Sequence, residues 1–267
     1  MKERLDVLLV KQGFFDSREK AKRAIMAGLV FIGQERYEKA GTMVDIESEL
    51  NVKGNTCPYV SRGGLKLEKS IKTWDLNLNG YTCMDIGSST GGFTDCMLQN
   101  GATKVYALDV GTNQLAYSLR IDPRVVVMEK TNIRDVDPAS FEKLDFISID
   151  VSFISLELVL PVASALLKEG GQIVSLVKPQ FEAGREKVGK GGIVRDKAVH
   201  REVIENVIKY AENADLTPCG LSYSPITGAK GNIEYLLYMK KISAADSLLT
   251  KEDILNIVDN SHAELEK

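Results

Sequence analysis

A glycine-rich turn between residues 87 and 92 constrains the fold of this chain more than any other feature of its 267 residues. The turn follows an apolar run that ends in Asp85-Ile86 and leads into Gly92-Phe93 and a further apolar stretch. Glycines allow sharp turns and close approach of a ligand to the backbone, and doubly wound α/β sheets bind nucleotides at such turns. The spacing G-x-x-x-G-G differs from the dinucleotide pattern G-x-G-x-x-G, which weakens a nicotinamide interpretation. An ordinary strand-to-helix turn is the alternative.

From residue 81 onward, short apolar runs alternate with segments of helical periodicity. We predict strands at 82–86, 104–109, 125–128, 145–150, 172–178, 216–222 and 234–240, and helices at 92–100, 114–119, 156–167 and 200–214. This alternation indicates an α/β fold with a mostly parallel, doubly wound sheet. Residues 223–233 are too few for a helical crossover, so we expect the last two strands to pair antiparallel at the sheet edge.

The first 58 residues predict a small α+β domain of their own. Two short helices with apolar inner faces precede strand candidates near residues 29–32 and 44–46, and a polar linker follows. The predicted organisation is 1–58 for this domain, 59–80 for a linker and first helix, 81–242 for the α/β domain and 243–267 for a helical C-terminal extension.

Charged side chains stand at the ends of the predicted strands. Asp109 ends the second strand, about where a doubly wound fold places the acid that binds ribose hydroxyls. Asp150 and Lys178 end later strands, and Glu234 begins the antiparallel edge strand. These ends reach the same edge of the sheet, where a lysine between two acids can be tuned as a base or proton relay. Without the glycine turn, a solvated rim would be the simpler interpretation.

Bulk properties limit the possible functions. The net charge of -3, from 34 basic and 37 acidic residues, argues against coating nucleic acid by total charge but permits a local basic surface. We find no secretory signal and no run of about 18 apolar residues, so we expect a cytoplasmic protein without a membrane span. Four cysteines without a C-x-x-C pair and two histidines predict neither a metal site nor a disulfide framework.

Several motifs carry a resemblance to known families. The loop D-x-G-x-x-x-G-G-F at 85–93 resembles the first motif of S-adenosylmethionine methyltransferases. The segment S-R-G-G-L-K-L at 61–67 looks like the start of FtsJ-type ribose methyltransferases. The first domain, with R-L-D at 4–6 and S-R at 17–18, resembles the S4 RNA-binding domain. With V-K-P-Q-F-E at 177–182, the chain is similar to the TlyA (hemolysin A) family.

This resemblance implies a Rossmann-like methyltransferase sheet with an antiparallel last strand, and S-adenosyl-L-methionine as the cofactor. It implies methylation of the ribose 2'-hydroxyl of cytidine in 16S and/or 23S ribosomal RNA, with ribosomal RNA or ribosomal subunits as partners and no metal or membrane. We expect cofactor contacts from Asp85, Gly87, Ser88, Ser89, Gly91, Gly92, Phe93, Asp109, Val110 and Asn132. From the residues alone, Asn132 is as well explained as an ordinary loop residue.

The family's Lys-Asp-Lys-Glu tetrad falls on Lys66, Asp150, Lys178 and Glu234. Our hypothesis is that Lys178 accepts or relays the hydroxyl proton and Asp150 orients it. Glu234 would then hold the lysines and the ribose, and Lys66 would position the 2'-oxygen. The selection of Lys66 rests on the S-R-x-x-x-K-L match, because the lysines at 69 and 72 share its helical face.

Positive charge gathers around the second N-terminal helix and in the Gly- and Lys-rich loop at 184–195. On charge alone a solvated helix face is the simpler interpretation, and the S4-like resemblance reverses that preference. The loop could close over RNA or could be mobile surface. The RNA-binding candidates are Arg4, Lys11, Arg18, Lys20, Lys22, Arg23, Arg62, Arg185, Lys187 and Lys190.

Two other classes are possible. A non-enzymatic RNA-binding or ribosome-assembly factor could keep the fold without binding the cofactor. A haemolysin is less favoured, because no amphipathic or apolar spanning segment is visible.

Overall fold

The structure is a computed structural model that describes residues 2–15, 17–26, 28–53, 57–242 and 247–265. Residues 54–56 of the predicted linker and 243–246 at the start of the predicted C-terminal extension lie outside the described residues. The chain divides into two compact units, residues 1–58 and 59–267, and each is described by itself.

The first unit is an α+β fold whose core lies on the inner faces of two helices. Helix α1 (Leu5–Lys11) and helix α2 (Arg18–Met26) bury Leu5, Leu9 and Ile25. Strand β2 lies between β3 and β5, and β1 pairs with β4, all antiparallel. The strands are β1 (Lys2–Arg4), β2 (Val30–Ile32), β3 (Glu35–Tyr37), β4 (Met43–Asp45) and β5 (Leu50–Val52).

The second unit is built on a mostly parallel sheet, which confirms the predicted fold class. Its described strands are β6 (Thr82–Ile86), β7 (Lys104–Leu108), β8 (Val125–Met128), β9 (Leu144–Ile149), β10 (Leu167–Val177), β11 (Thr217–Tyr223) and β12 (Tyr235–Lys240). Their spatial order is β11-β12-β10-β9-β6-β7-β8. As predicted, β12 runs antiparallel to β11, and it is also antiparallel to β10, whereas the other pairs are parallel.

Helices and turns of the second unit surround this sheet. They are α3 (Gly64–Trp74), α4 (Gly92–Gln99), α5 (Tyr117–Arg120), α6 (Leu156–Leu166), α7 (Pro179–Glu182), α8 (Lys197–Asn213) and α9 (Lys251–Leu265). Apolar side chains of α6 and α8, such as Val159 and Ile204, form the main core with fully buried residues of β9 and β10 such as Ile147 and Ile173. No helix in the described ranges is long and apolar enough to span a bilayer.

The strand register brings the predicted site residues to one edge. β6 ends level with β7 and β9, since Ile86 pairs with both Leu108 and Ile149. In the antiparallel pair, Val177 at the end of β10 lies opposite Tyr235 at the start of β12. The residues just beyond these positions therefore meet at the side of the sheet where the parallel strands have their carboxyl ends.

The predicted helix at 114–119 is wrong in its extent, because α5 begins only at Tyr117. The carboxylate of Glu129 accepts hydrogen bonds from the N–H groups of Asn113 (2.8 Å), Gln114 (3.0 Å) and Leu115 (3.3 Å). Arg120 also donates to it, and these bonds lower the pKa of Glu129 to about 2. The N–H groups of this segment bind the partly exposed Glu129 carboxylate, and this arrangement replaces the first helical turn.

Two further boundaries differ from the prediction. β10 begins at Leu167, with an irregularity in its pairing with β9 between Leu167 and Gln172. The described part of the C-terminal extension is a single helix, α9, and it is amphipathic: Ile254 and Val258 are buried in the main core. This helix packs on α8 and β11, so it belongs to the α/β unit.

Candidate active site

Asp85 holds the glycine turn in place through buried hydrogen bonds. Its fully buried carboxylate accepts hydrogen bonds from the N–H (2.9 Å) and hydroxyl (2.7 Å) of Thr94 and from the hydroxyl of Ser148 (3.1 Å). Burial raises the pKa of Asp85 to about 7. These contacts join β6 to the first turn of α4 and to β9, so Asp85 fixes the shape of the turn in which it was predicted to contact a cofactor.

The turn packs so closely that only glycine fits at several positions. A Cβ on Gly87 (φ +88°) would lie 2.5 Å from the main-chain oxygen of Asp150, and one on Gly92 would lie 2.3 Å from Oγ of Ser61. A cavity of about 120 Å³ lies beside the turn. Its lining residues are Ser61, Gly63, Asp85, Gly87, Ser88, Ser89, Thr90, Gly92, Phe93 and Asp150.

Asp109 stands beside this cavity at the end of β7. Its carboxylate accepts hydrogen bonds from the N–H groups of Ser89 (2.8 Å) and Gly111 (2.7 Å), which leaves lone pairs for a further donor. The next residue, Val110, is 70% exposed. The side chain of Asn132 accepts a hydrogen bond from the N–H of Arg134 and caps a short 3-10 turn, so its adenine contact stays a prediction.

Four charged side chains of the predicted tetrad lie together. The Lys66 ammonium is 2.6 Å from Oε2 of Glu234 and 3.7 Å from Oδ2 of Asp150. The Lys178 ammonium is 2.6 Å from Oδ1 of Asp150. Lys66, Lys178 and Glu234 are buried, whereas the Asp150 side chain keeps 21% exposure. Two ammonium groups thus neutralise two carboxylates, which makes burial of the cluster tolerable.

The three lysines of α3 have different environments. Lys66 points to the carboxylates of the cluster. The Lys69 ammonium lies 3.8 Å from the ring centroid of Tyr223, and partial burial lowers the pKa of Lys69. Lys72 is exposed and pairs with Glu68 one turn earlier. Of the three lysines of α3, only Lys66 therefore reaches the charge cluster.

The loop after β9 adds two residues that sequence reasoning did not select. The Ser152 hydroxyl accepts a hydrogen bond from the Lys178 ammonium at 3.1 Å. Phe153 is 90% exposed and has φ +64°, an unfavourable conformation for a bulky residue. Its ring centroid lies 4.8 Å from that of Phe181 in α7.

Glu182 anchors the end of the loop that follows β9. Its carboxylate accepts hydrogen bonds from the hydroxyl of Ser155 (2.7 Å) and the N–H of Leu156 (2.9 Å) at the start of α6. The V-K-P-Q-F-E motif therefore contributes Lys178 to the cluster, Phe181 to the aromatic pair and Glu182 to the anchor of the facing loop. Ser152 and Phe153 lie three and four residues beyond the end of β9, and this position is a weak signal of a site.

In the first unit, two predicted RNA-binding arginines converge on one buried acid. Asp6 is fully buried, and its carboxylate accepts hydrogen bonds from Arg4 (3.0 and 3.2 Å) and Arg18 (2.8 Å). Burial tends to raise the pKa of Asp6, but the two guanidinium groups outweigh it and lower this pKa to about 2. Both arginines are therefore held in place with about half of each side chain exposed.

Other predicted RNA-binding lysines form surface ion pairs: Lys11 with Glu3 (2.6 Å), Lys22 with Glu19 (2.8 Å) and Lys187 with Glu202 (2.5 Å). Such pairs are weak in water, so a phosphate can displace the carboxylate. The remaining candidates are exposed side chains, namely Lys20, Arg23, Arg62, Arg185 and Lys190.

The fold and the charge cluster define the class: an α/β methyltransferase-type domain joined to a small α+β domain. The FtsJ-like methyltransferase family model matches residues 59–241, and the S4 domain model matches residues 3–50. The chain belongs to the TlyA (hemolysin A) family of S4-domain, FtsJ-like methyltransferases.

Relatives of known name share nearly the whole chain. The protein YqxC of Bacillus subtilis is 53% identical over 100% of this chain and 96% of its own length. The 16S/23S rRNA (cytidine-2'-O)-methyltransferase TlyA of Mycobacterium tuberculosis is 40% identical over 89% of each chain. A solved structure from Streptococcus thermophilus, of a protein named as a hemolysin, is 50% identical, covers 99% of this chain and 97% of its own, and has a TM-score of 0.80.

Proposed function

We propose that this protein is an S-adenosylmethionine-dependent methyltransferase that acts on the ribose 2'-hydroxyl of cytidine in ribosomal RNA. The observation that carries the proposal is the buried cluster of Lys66, Asp150, Lys178 and Glu234 beside the glycine turn. The family to which the chain belongs supports the reaction class. The S4 domain supports RNA as the substrate.

The residues around the glycine turn suit the cofactor. Residues 87–90 and 92 line the small cavity, which has room for an amino-acid end. Asp109 stands beside it with lone pairs left for ribose hydroxyls. When bound, S-adenosylmethionine supplies an activated methyl group on a sulfonium. Asp150 lines the same cavity, which supports a reacting centre next to the charge cluster.

The chain's own residues can move the hydroxyl proton. The Lys178 ammonium forms an ion pair with Asp150 and donates a hydrogen bond to Ser152, so its position is fixed from two sides. In our proposal Lys178 passes one proton to Asp150 and takes another from the attacking 2'-hydroxyl. Asp150 is the partly exposed acid of the cluster and can release that proton to water, whereas Glu234, at 3% exposure, holds Lys66 against the ribose.

Phe153 suits a role in holding a nucleobase. Phe153 follows Val151 by two residues, on the same loop as Asp150. Its exposed ring contacts the ring of Phe181 on one side. An exposed aromatic ring in a strained backbone conformation is typical of a functional position, and bases stack on such rings. We propose that Phe153 stacks on a base at or next to the methylated cytidine.

The decisive experiment measures transfer of labelled methyl groups to naked ribosomal RNA and to separate small and large ribosomal subunits, with mass mapping of the product. Lys178→Ala and Glu234→Ala should each lower the rate by about 100-fold or more while S-adenosylmethionine still binds in calorimetry. Lys72→Ala is the matched control on the exposed side of α3 and should keep the wild-type rate. Near wild-type rates in both site variants would contradict the assignment.

The same proteins test the other classes. RNA binding without cofactor binding by the wild-type protein would support an assembly factor. Lysis of lipid vesicles that needs no cofactor would support a haemolysin.

A further inference from the structure

The Gly- and Lys-rich loop, residues 184–195, is tied to residues on both sides of Glu234. On the N-terminal side, the Asn232 amide makes two hydrogen bonds to the loop's main chain. Its Oδ1 accepts from the N–H of Val194 at 3.1 Å, and its Nδ2 donates to the carbonyl of Gly192 at 2.9 Å. Asn232 is 3% exposed, so its bond to Val194 is shielded from water, whereas the bond to Gly192 is partly exposed.

On the C-terminal side, the tie runs through His200 in α8. Its Nε2 lies 3.0 Å from the carbonyl of Val194, which can only accept, so Nε2 donates. In a neutral ring Nδ1 is then the acceptor, and it lies 2.7 Å from the hydroxyl of Tyr235 and 3.2 Å from Nε2 of His262. Tyr235 directly follows Glu234, and both His200 and Tyr235 are fully buried.

Glu234 itself has little freedom between these two ties. Its carboxylate holds Lys66, and a Cβ on Gly228 would lie 2.1 Å from its Oε1. Its main-chain oxygen accepts a hydrogen bond from the N–H of Ser224 at 2.8 Å. The Glu234 carboxylate is closely packed. We therefore expect a displacement of Asn232 to shift this carboxylate too.

Beyond Asn232's two hydrogen bonds, the loop forms a short hairpin. Gly189 and Ile193 form an isolated antiparallel bridge, and Gly191 (φ +83°) and Gly192 (φ +80°) complete the tight turn. Lys190 lies exposed at the tip. Lys190 is therefore available to a phosphate at the tip of a short hairpin whose base is held by Asn232.

We propose that Asn232 is a positioning residue that couples the 184–195 loop to Glu234, so that RNA contact with the loop sets the charge cluster in its reactive arrangement. This inference rests on the proposed methyltransferase function. It assigns to Asn232 an effect on turnover through Glu234, beyond its structural hydrogen bonds.

The test compares Asn232→Ala and Asn232→Asp with Asn100→Ala. Asn100 also donates its amide to a main-chain carbonyl, that of Cys96 at 2.8 Å, but at the far end of α4. We expect both Asn232 variants to lower kcat by about tenfold or more, with the RNA KM changed less and S-adenosylmethionine affinity unchanged. Trypsin should also cut faster after Lys190. Asn100→Ala should change neither kcat nor that cleavage.

Wild-type kcat in folded Asn232 variants would overturn the coupling, and unchanged cleavage after Lys190 would overturn the tie itself. If the Asn232 variants do not fold, Gly192→Val takes their place, because a Cβ there meets nothing within 4 Å and its effect comes from the strained turn alone. It should lower kcat in the same way, and a wild-type kcat would contradict the inference. Inactivity of the wild-type protein on every RNA would instead count against the proposed function. The cleavage assay would still test the hydrogen bonds between Asn232 and the loop.

Discussion

The ammonium of Lys66 donates a 2.6 Å hydrogen bond to Glu234, a residue 168 positions further along the chain. Lys66 lies in α3, which precedes the sheet, and Glu234 lies just before β12. The ion pair therefore joins the start of the catalytic unit to β12, the antiparallel strand between β11 and β10. Since both side chains are buried, the pair is as much a folding constraint as a candidate part of the reaction.

Lys66→Met should destabilise the protein more than Glu234→Gln. Removing Lys66 leaves the buried Glu234 carboxylate without its counter-ion, and breaking a buried pair in this way costs about 3–5 kcal/mol. Removing the Glu234 charge still leaves Lys66 with Asp150 at 3.7 Å. Urea unfolding measures both values. Lys72→Met, which breaks an exposed pair, should cost less than about 1 kcal/mol, and an equal loss in all three variants would show that burial is not the cause.

The pairing of Lys66 with Glu234 also shows how much the sequence can predict. Strand alternation and the position of charges at strand ends indicated the sheet and three members of the cluster, Asp150, Lys178 and Glu234, because parallel strands bring their carboxyl ends to one side of a sheet. The choice of Lys66 over Lys69 and Lys72 came from the motif match, since helical spacing alone places the three on one face. Their different partners depend on tertiary contacts.

Ser152 and Phe153 show what the sequence could not predict. Their conformation depends on Glu182, which is distant in sequence and holds the start of α6 by two hydrogen bonds. The failed helix at 114–119 has the same origin, because Glu129, in the turn after β8, accepts hydrogen bonds from the first N–H groups of the segment. In each case one long-range carboxylate decided a local backbone path that propensity could not indicate.

Gly87→Ala should destabilise the protein by about 3 kcal/mol or more and weaken S-adenosylmethionine binding. The added Cβ would lie 2.5 Å from the main chain at Asp150, and φ +88° adds strain. Gly80→Ala is the matched control, because its φ of +79° is similar but nothing lies within 4 Å of the new Cβ. It should cost about 1 kcal/mol and leave cofactor affinity unchanged. Calorimetry and urea unfolding of both variants check this, and equal losses would mean that backbone strain alone matters.

Asp85 should make the protein less stable as pH rises from about 4 to 7. Burial raises the pKa of Asp85 to about 7 in the folded state, against an ordinary value of 3.8. Between these values the folded state binds more protons than the unfolded state, so the free energy of unfolding falls with pH, by up to about 4 kcal/mol, and levels off above 7. Asp85→Asn should remove this slope. Urea unfolding of both proteins at pH 5 and pH 8 measures it, and identical pH dependences would contradict the prediction.

Phe153→Gly should lower methyl transfer to RNA while it leaves stability nearly unchanged. Glycine adopts φ +64° freely, which releases strain of about 1–2 kcal/mol. The lost ring contact with Phe181 and the greater freedom of the unfolded chain offset that gain with about 1–2 kcal/mol together. The RNA contact has no such replacement, because base stacking on an aromatic ring contributes about 1–3 kcal/mol. We therefore expect kcat/KM for RNA to fall by about tenfold or more with cofactor affinity unchanged. Phe153→Trp keeps a ring and should stay close to the wild-type kcat/KM, whereas equal losses in both variants would show that the ring does not stack on the substrate.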